Sequence, residues 1–106
     1  MKKIKNYING SVESFSKEYL PVFDPSKGEQ IAEVVSSNNK DFEKIINSSQ
    51  KAFYDWSEIT PLKRSRIIAK YKEIIEKNID LLAALVSEEH GKTFDDAKGS
   101  VTRGLE

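Results

Sequence analysis

The sequence predicts an α/β fold in which a short antiparallel β-meander is followed by about four helices. Two observations predict it. Up to Val35 the chain alternates apolar and polar residues in short runs that Pro and Gly interrupt, which is typical of strands and turns. From Asn38 the apolar period changes to 3.6, which is typical of amphipathic helices. We therefore divide the chain into a strand region, residues 1–36, and a helical region, residues 38–106.

The predicted meander has three strands, at residues 7–12, 19–23 and 30–35. Pro21 lies inside the second strand and has no N–H, so it has to occupy a position that needs no ladder donor. Residues 24–28 are a strong turn signal, because Pro25 presets φ and Gly28 tolerates a left-handed conformation. A meander of this size is marginally stable alone, so we expect it to pack against another element.

Each predicted helix has a start signal and an apolar stripe. The starts are Asn38 or Asn39, Thr60 before Pro61, Asn78 or Asp80, and Thr93 with Asp96 as a capping-box acid. Gly91 ends the third helix in a C′ position. The residues that we predict to face inward are, in helix order, Phe42, Ile45, Ile46, Ser49, Phe53 and Trp56; Ile67, Ile68, Tyr71, Ile74 and Ile75; Leu81, Leu82, Leu85 and Val86; and Phe94, Ala97, Val101 and Leu105.

Composition and charge limit the function classes. The 17 basic and 17 acidic residues cancel, so no net charge attracts nucleic acid or an anionic membrane. No segment approaches the roughly 20 apolar residues that span a bilayer. The chain has no cysteine, which excludes a disulfide, a thiolate metal site and a cysteine nucleophile within these 106 residues. We expect a cytoplasmic protein that binds neither nucleic acid nor a membrane.

Few residues offer catalytic chemistry. The chain has no glycine-rich phosphate loop. Its one histidine, His90, stands before the helix-ending Gly91, where an imidazole is placed to cap carbonyls, and it lacks companion metal ligands. Glu88 and Glu89 are consecutive and point in different directions, so they do not form a carboxylate pair. We predict no catalytic residue, no cofactor-binding residue and no metal site within the chain.

Arg103 is the one candidate binding residue. On the fourth helix it shares a face with Asp96, Gly99 and Ser100, away from the apolar stripe. Gly99 and Gly104 each cost about 1 kcal/mol in a helix interior, which suggests that something packs closely against this helix. Beside such a bare backbone a guanidinium can present its rigid fork to a carboxylate. A surface salt bridge is the alternative that the spacing leaves open.

Five short patterns occur in order along nearly the whole chain. They are Tyr7-Ile-Asn-Gly10, Val22-Phe-Asp-Pro25 with Gly28-Glu29, Ala52-Phe53-x-x-Trp56, Arg64-x-Arg66-Ile67 and Glu89-His-Gly-Lys92. This succession resembles the N-terminal part of the NAD(P)-dependent aldehyde dehydrogenase superfamily. The closing segment, in which Glu89-His-Gly-Lys-Thr93 is followed by Asp96-Ala97-x-Gly99 and Arg103-Gly-Leu-Glu106, resembles the branch that acts on methylmalonate and malonate semialdehydes.

The resemblance implies an oxidoreductase in which residues 1–106 are the incomplete N-terminal part of a Rossmann-like NAD-binding domain. It implies oxidation of the semialdehyde with NAD, transfer of the acyl group to coenzyme A, and a homo-oligomeric enzyme. It also implies that Arg103 binds the substrate carboxylate, and that the NAD site and thiol nucleophile lie beyond Glu106, so that this chain alone is inert. Ser100 departs from the branch, which usually has an acidic residue at that position.

Two other interpretations stay open. The enzyme could be another NAD(P)-dependent aldehyde dehydrogenase, of the succinate-semialdehyde or betaine-aldehyde type. Alternatively, the chain could be a non-enzymatic helical interaction module, which would unfold cooperatively by itself.

Overall fold

The computed structural model describes all 106 residues, which form five short strands and four helices. The strands are β1 (Lys2–Ile4), β2 (Tyr7–Ile8), β3 (Ser11–Val12), β4 (Tyr19–Asp24) and β5 (Glu29–Val35). The helices are α1 (Asn39–Glu58), α2 (Pro61–Lys77), α3 (Ile79–His90) and α4 (Phe94–Leu105). The predicted α/β class is confirmed, with short strands followed by four helices. None of the helices combines the length and the apolar character that crossing a membrane requires.

The strand pairing differs from the predicted antiparallel meander. The three-stranded sheet has the order β1-β5-β4, and β1 runs parallel to β5. Residues 7–12 form a separate antiparallel hairpin of β2 and β3, in which Tyr7 lies opposite Val12. Asn9 and Gly10 join the two strands with positive φ angles of 49° and 79°, the geometry of a two-residue hairpin turn. The prediction of a single meander was wrong because Asn9 and Gly10 turn this segment back on itself.

The β4–β5 connection has the predicted conformation. β4 is an edge strand, which is where a proline such as Pro21 is tolerated. Gly28 has a φ of 71° and donates its N–H to the carbonyl of Asp24 at 2.8 Å. The Asp24 carboxylate accepts the N–H of Ser26 at 2.8 Å, the hydrogen bond of an Asx turn. The hydrogen bonds that Asp24 accepts from Ser26 and Gly28 therefore stabilise this turn.

Local capping explains where the helices begin. Asn38 accepts the N–H of Asp41 at 3.1 Å, and the Asp41 carboxylate accepts the N–H of Asn38 at 3.0 Å, which makes a full capping box on α1. Thr60 and Thr93 cap α2 and α4 through their hydroxyl oxygens, each at 3.3 Å. Asn78 precedes α3 without capping it and instead donates to the Ile74 carbonyl at the end of α2.

The chain divides into two compact units, one of Met1–Phe23 and Gln30–Ile59, the other of Asp24–Glu29 and Thr60–Glu106. In the first unit the β2–β3 hairpin lies against α1, and the buried apolar residues are Ile8, Ala32 and Val35. In the second unit α3 and α4 pack against each other, with Ala83 and Ala97 fully buried. Alanine at these positions is consistent with a close approach of the two helices.

The apolar stripes of the helices are far more exposed than predicted. Phe53 on α1 is 64% exposed, Tyr71 on α2 is 62% exposed and Leu81 on α3 is 62% exposed. The 3.6-residue period identifies the apolar face of a helix, but it does not say whether another element covers that face. An exposed apolar helix face of this kind is typical of a surface that another polypeptide covers.

Candidate functional site

The short loop between α3 and α4 positions the candidate site. Gly91 ends α3 with a φ of 80° and donates its N–H to the carbonyl of Ser87 at 2.9 Å. The Ser87 hydroxyl in turn donates to the carbonyl of Lys92 at 2.6 Å. Thr93 then caps α4. The backbone of Lys92 is therefore held on both sides, directly before the first turn of α4.

Pro25, in the β4–β5 turn, supports this loop within the second unit. A Cβ atom at position 91 would lie 3.0 Å from Cγ of Pro25, a tight contact that the ring would have to relieve by shifting a few tenths of an ångström. The positive φ and the nearby proline ring both favour glycine here. The predicted C′ role of Gly91 is confirmed, and the structure adds a packing reason that the sequence did not show.

Arg103 folds back along the exposed face of α4. Its Nη2 donates to the hydroxyl of Ser100 at 3.1 Å. A Cβ atom at Gly99 would lie 3.7 Å from its Nη1, so the guanidinium runs beside the bare backbone of Gly99. The predicted shared face of Gly99, Ser100 and Arg103 is confirmed. The role of Arg103 in binding a substrate stays a prediction.

Lys92 joins the same cluster, which the sequence reasoning missed. Its Nζ donates to the Ser100 hydroxyl at 3.0 Å, although the two residues are eight apart in sequence. From the sequence alone, Lys92 is simply a positive charge near the negative C-terminal end of α3. The sequence contained a signal for this contact. Lys92 precedes α4, and a positive charge near the positive N-terminal end of a helix is unfavourable unless another interaction offsets it.

The cluster of Lys92, Ser100 and Arg103, which we call the cation cluster, contains two positive groups and no negative one. Since both nitrogens contact one oxygen, they are no more than about 6 Å apart, where like charges repel by roughly 0.7 kcal/mol even in water. The salt bridges of the chain are Lys44–Glu13, Lys72–Glu76 and Lys98–Asp80. None includes Lys92 or Arg103, so the cluster can accept an anion.

Asp41 forms a second polar centre, in the first unit, and its role is structural. Its fully buried carboxylate accepts the backbone N–H groups of Phe15, Ser16 and Asn38 at 2.6, 3.1 and 3.0 Å. Burial raises the pKa of Asp41, but these three donors and the nearby Lys44 outweigh it, so the pKa lies below its ordinary value. The charged carboxylate ties the segment after β3 to the start of α1.

The other residues considered for chemistry stay apart. His90 is exposed in the last turn of α3, and the N–H of Gly91, rather than an imidazole, satisfies the carbonyl of Ser87. No group of three or more His, Cys, Asp or Glu side chains in the chain is arranged to hold a metal ion. The cation cluster is therefore the one arrangement among these candidates whose chemistry indicates a ligand.

Comparison with known proteins places the chain in a family. The profile of the aldehyde dehydrogenase family matches residues 12–106, nearly the whole chain. The chain belongs to the aldehyde dehydrogenase family.

Individual family members agree with this assignment. A Dictyostelium discoideum mitochondrial protein, assigned as a methylmalonate-semialdehyde/malonate-semialdehyde dehydrogenase (acylating), is 45% identical over 103 residues, which are 96% of this chain and 20% of that protein. The crystal structure of methylmalonate-semialdehyde dehydrogenase from Oceanimonas doudoroffii is 35% identical, with a TM-score of 0.95 over 99% of this chain and 22% of that one.

A second solved structure carries a cofactor. It is a protein from Sinorhizobium meliloti 1021, assigned as a methylmalonate-semialdehyde dehydrogenase and complexed with NAD. It is 32% identical, with a TM-score of 0.96 over 99% of this chain and 22% of that one. The chain thus spans about a fifth of the length of these aldehyde dehydrogenases and has the fold of their N-terminal part. The predicted family resemblance is confirmed.

Proposed function

We propose that this chain supplies the N-terminal part of the NAD-binding domain of a dehydrogenase that oxidises methylmalonate or malonate semialdehyde to an acyl-CoA. NAD would accept the hydride, and coenzyme A would accept the acyl group. No glycine-rich phosphate loop occurs among these residues, so we assign no NAD contact to this chain. Its own contribution is to bind and orient the substrate through Arg103.

The observation that supports this role most directly is the geometry of Arg103. Its guanidinium is exposed, forms no salt bridge and is held by a neutral hydroxyl beside the bare backbone of Gly99. An arginine without a carboxylate partner retains donors for a ligand, and its planar fork matches a carboxylate in two parallel hydrogen bonds. The substrate carboxylate would take that place, which leaves the aldehyde group at the other end of a short carbon chain.

The exposed helix faces also support a place within a larger enzyme. Side chains such as Phe42 and Phe53 on α1, and Tyr71 and Ile74 on α2, would be covered when the remaining four-fifths of such a dehydrogenase packs on them. The same packing would bring the catalytic groups, which this chain lacks, to the substrate. A homo-oligomer would cover further surface of this kind.

Replacing Arg103 with Leu in the complete dehydrogenase tests the proposal. We expect kcat/KM for malonate semialdehyde to fall roughly 30- to 1,000-fold, the equivalent of about 2–4 kcal/mol of lost transition-state binding. Activity on propanal, which has no carboxylate, should fall far less. Arg103→Lys should give an intermediate loss, because it keeps the charge but not the fork.

Lys98→Leu is the matched control, since it removes an exposed charge from the same helix and leaves Arg103 and Ser100 intact. It should change neither rate by more than about twofold, as expected for an exposed surface charge. Equal losses on both aldehydes in Arg103→Leu would overturn the assignment of Arg103 to the carboxylate. A preference for succinate semialdehyde in the unaltered enzyme would instead move the proposal to another branch of the family.

A further inference from the structure

The turn of the β2–β3 hairpin contains the one Asn-Gly dipeptide of the chain. Of the six asparagines, only Asn9 is followed by a glycine. The peptide nitrogen after an asparagine can attack the side-chain amide, and a side chain on the following residue hinders that attack. Gly10 has no Cβ, so its nitrogen is the least hindered nucleophile that follows any asparagine of the chain.

Both reacting groups are accessible in the structure. Asn9 is exposed, and the backbone N–H of Gly10 has no backbone hydrogen-bond acceptor. A Cβ atom placed on Gly10 would have no atom within 4 Å, so water and base can reach its nitrogen. The amide of Asn6, by comparison, donates to a serine hydroxyl at 2.9 Å, and that of Asn78 donates to a carbonyl at 2.8 Å. Those hydrogen bonds restrain the two other amides.

The closed hairpin keeps the two groups of the dipeptide apart. The positive φ angles of Asn9 and Gly10, 49° and 79°, are those of a type I′ turn. In that turn ψ of the first central residue is about +30°, which places the next nitrogen opposite the side chain across the Cα–C bond. Because ring closure needs a rotation about this bond, the turn has to open before Gly10 can attack Asn9.

Opening costs little in so short a hairpin. β2 and β3 form two residue pairs, Tyr7 with Val12 and Ile8 with Ser11. A two-stranded hairpin is marginally stable by itself, so this one depends on its packing against α1, to which it contributes the buried Ile8. Local opening of such an element needs much less free energy than global unfolding.

We propose that Asn9 is a site of spontaneous covalent modification and that its hairpin controls the rate. In the open turn the Gly10 nitrogen attacks the side-chain carbonyl carbon of Asn9. A C–N bond forms, Gly10 gives up its amide proton, and the side-chain nitrogen leaves as ammonia, which yields a succinimide. One water molecule then opens the ring at either carbonyl, and the product is aspartate or isoaspartate.

The two products have different effects on the hairpin. Aspartate keeps the length of the main chain and tolerates a positive φ, so the turn can close again. Isoaspartate adds a CH₂ group to the main chain inside a two-residue turn, which removes the register of Tyr7 with Val12 and withdraws Ile8 from α1. The modification therefore makes a transient opening permanent. This inference is independent of the proposed function, since it uses no residue of the cation cluster.

Ageing of the 106-residue chain in mildly alkaline buffer, followed by trypsin digestion and tandem mass spectrometry, tests the site. Asn6 and Asn9 lie in one tryptic peptide, residues 6–17, so Asn6 is an internal reference. We expect deamidation at Asn9 to be at least about tenfold faster than at Asn6, with isoaspartate among the products. Comparable rates at the two positions would overturn the proposal.

Substitutions and urea test the control by the hairpin. Ile8→Val removes one buried methyl group and should accelerate deamidation at Asn9 by about 2- to 10-fold. Ile74→Val, the matched control, makes the same change at an exposed position of α2 and should stay within about twofold. Denaturing urea should also accelerate the reaction. A rate that neither Ile8→Val nor urea changes would show that the hairpin does not protect Asn9.

Asn9→Asp separates the added charge from the longer main chain. In nuclear magnetic resonance spectra this variant should keep the cross-strand contacts of Tyr7 with Val12, whereas the purified isoaspartate form should lose them. Circular dichroism checks that both forms keep their helices. An isoaspartate form with intact cross-strand contacts would contradict permanent opening. Loss of those contacts in Asn9→Asp as well would assign the effect to charge rather than to main-chain length, which also contradicts the proposal.

Discussion

Replacing Gly91 with Ala should destabilise the loop that carries the candidate site. Gly91 has a φ of 80°, and a Cβ there would lie 3.0 Å from Cγ and 3.6 Å from Cβ of Pro25. A left-handed conformation costs an L residue roughly 1–2 kcal/mol. The reduced freedom of the unfolded alanine chain returns about 0.4–1 kcal/mol. Moving the proline ring by a few tenths of an ångström adds a cost of its own, so we expect a net loss of about 1–2 kcal/mol.

Urea unfolding and thermal unfolding followed by circular dichroism measure this loss. A decrease of about 1–2 kcal/mol corresponds to a Tm lower by roughly 5–15 °C in a domain of this size. The free energy of unfolding gives the magnitude of the loss.

Two other glycines supply the controls. In Gly28→Ala the alanine has to adopt a positive φ of 71°, but its Cβ has no atom within 4 Å. The loss of stability in this variant should therefore measure the cost of the left-handed backbone conformation alone. Gly104→Ala, inside α4 with nothing within 4 Å, should be neutral or stabilise by up to about 1 kcal/mol. In a Pro25→Ala background the cost of Gly91→Ala should fall toward that of Gly28→Ala. A Gly91→Ala variant that loses no more stability than Gly28→Ala would refute the packing argument.

Two further predictions concern the two units separately. The folded pKa of Asp41 is lowered, so its charged form stabilises the fold above the ordinary value of 3.8, and this contribution disappears as the pH falls through the lowered value. Asp41→Asn should therefore lower the Tm by roughly 5 °C or more at pH 7, and the Tm of the variant should fall less steeply as the pH is lowered. A Tm that falls with acid as steeply as in the unaltered chain would contradict this. In the second unit, Ala97→Leu should lower the free energy of unfolding by about 1–3 kcal/mol, because Ala97 has no exposed surface. Ala84→Leu is the control and should be neutral, since Ala84 is exposed on α3. Equal effects of the two substitutions in urea unfolding would contradict the packing of α3 on α4.

The helix boundaries could be predicted because they depend on neighbouring residues. Asn38, Thr60 and Thr93 occupy the N-cap positions, and Gly91 ends α3. Each cap acts through hydrogen bonds within three or four residues, so the local sequence contains the information. Asn78 shows the limit of this reasoning, because its side chain serves the end of the preceding helix instead.

Strand pairing and burial could not be predicted in the same way, because both depend on distant partners. The parallel pairing of β1 with β5 joins residues about 30 positions apart. The Asn9-Gly10 turn was a readable local signal for the β2–β3 hairpin, and the alternating pattern around it obscured that signal. The exposure of the helix stripes depends on what covers them, which the period of a helix does not encode.

The candidate site contains one contact that the sequence could predict and one that it could not. Ser100 and Arg103 are three residues apart on one helix, so their shared face followed from helix geometry. Lys92 reaches the same hydroxyl from the preceding loop, and its contact depends on the path that Gly91 and Thr93 impose. Loop geometry of this kind requires a structure, whereas helix spacing does not.

The most direct test of the proposed substrate role is a crystal structure of the complete dehydrogenase with a bound carboxylated semialdehyde analogue. The account predicts one carboxylate oxygen within about 3 Å of a guanidinium nitrogen of Arg103. A carboxylate ordered against other cations, with Arg103 still on Ser100 and free of the ligand, would contradict the account.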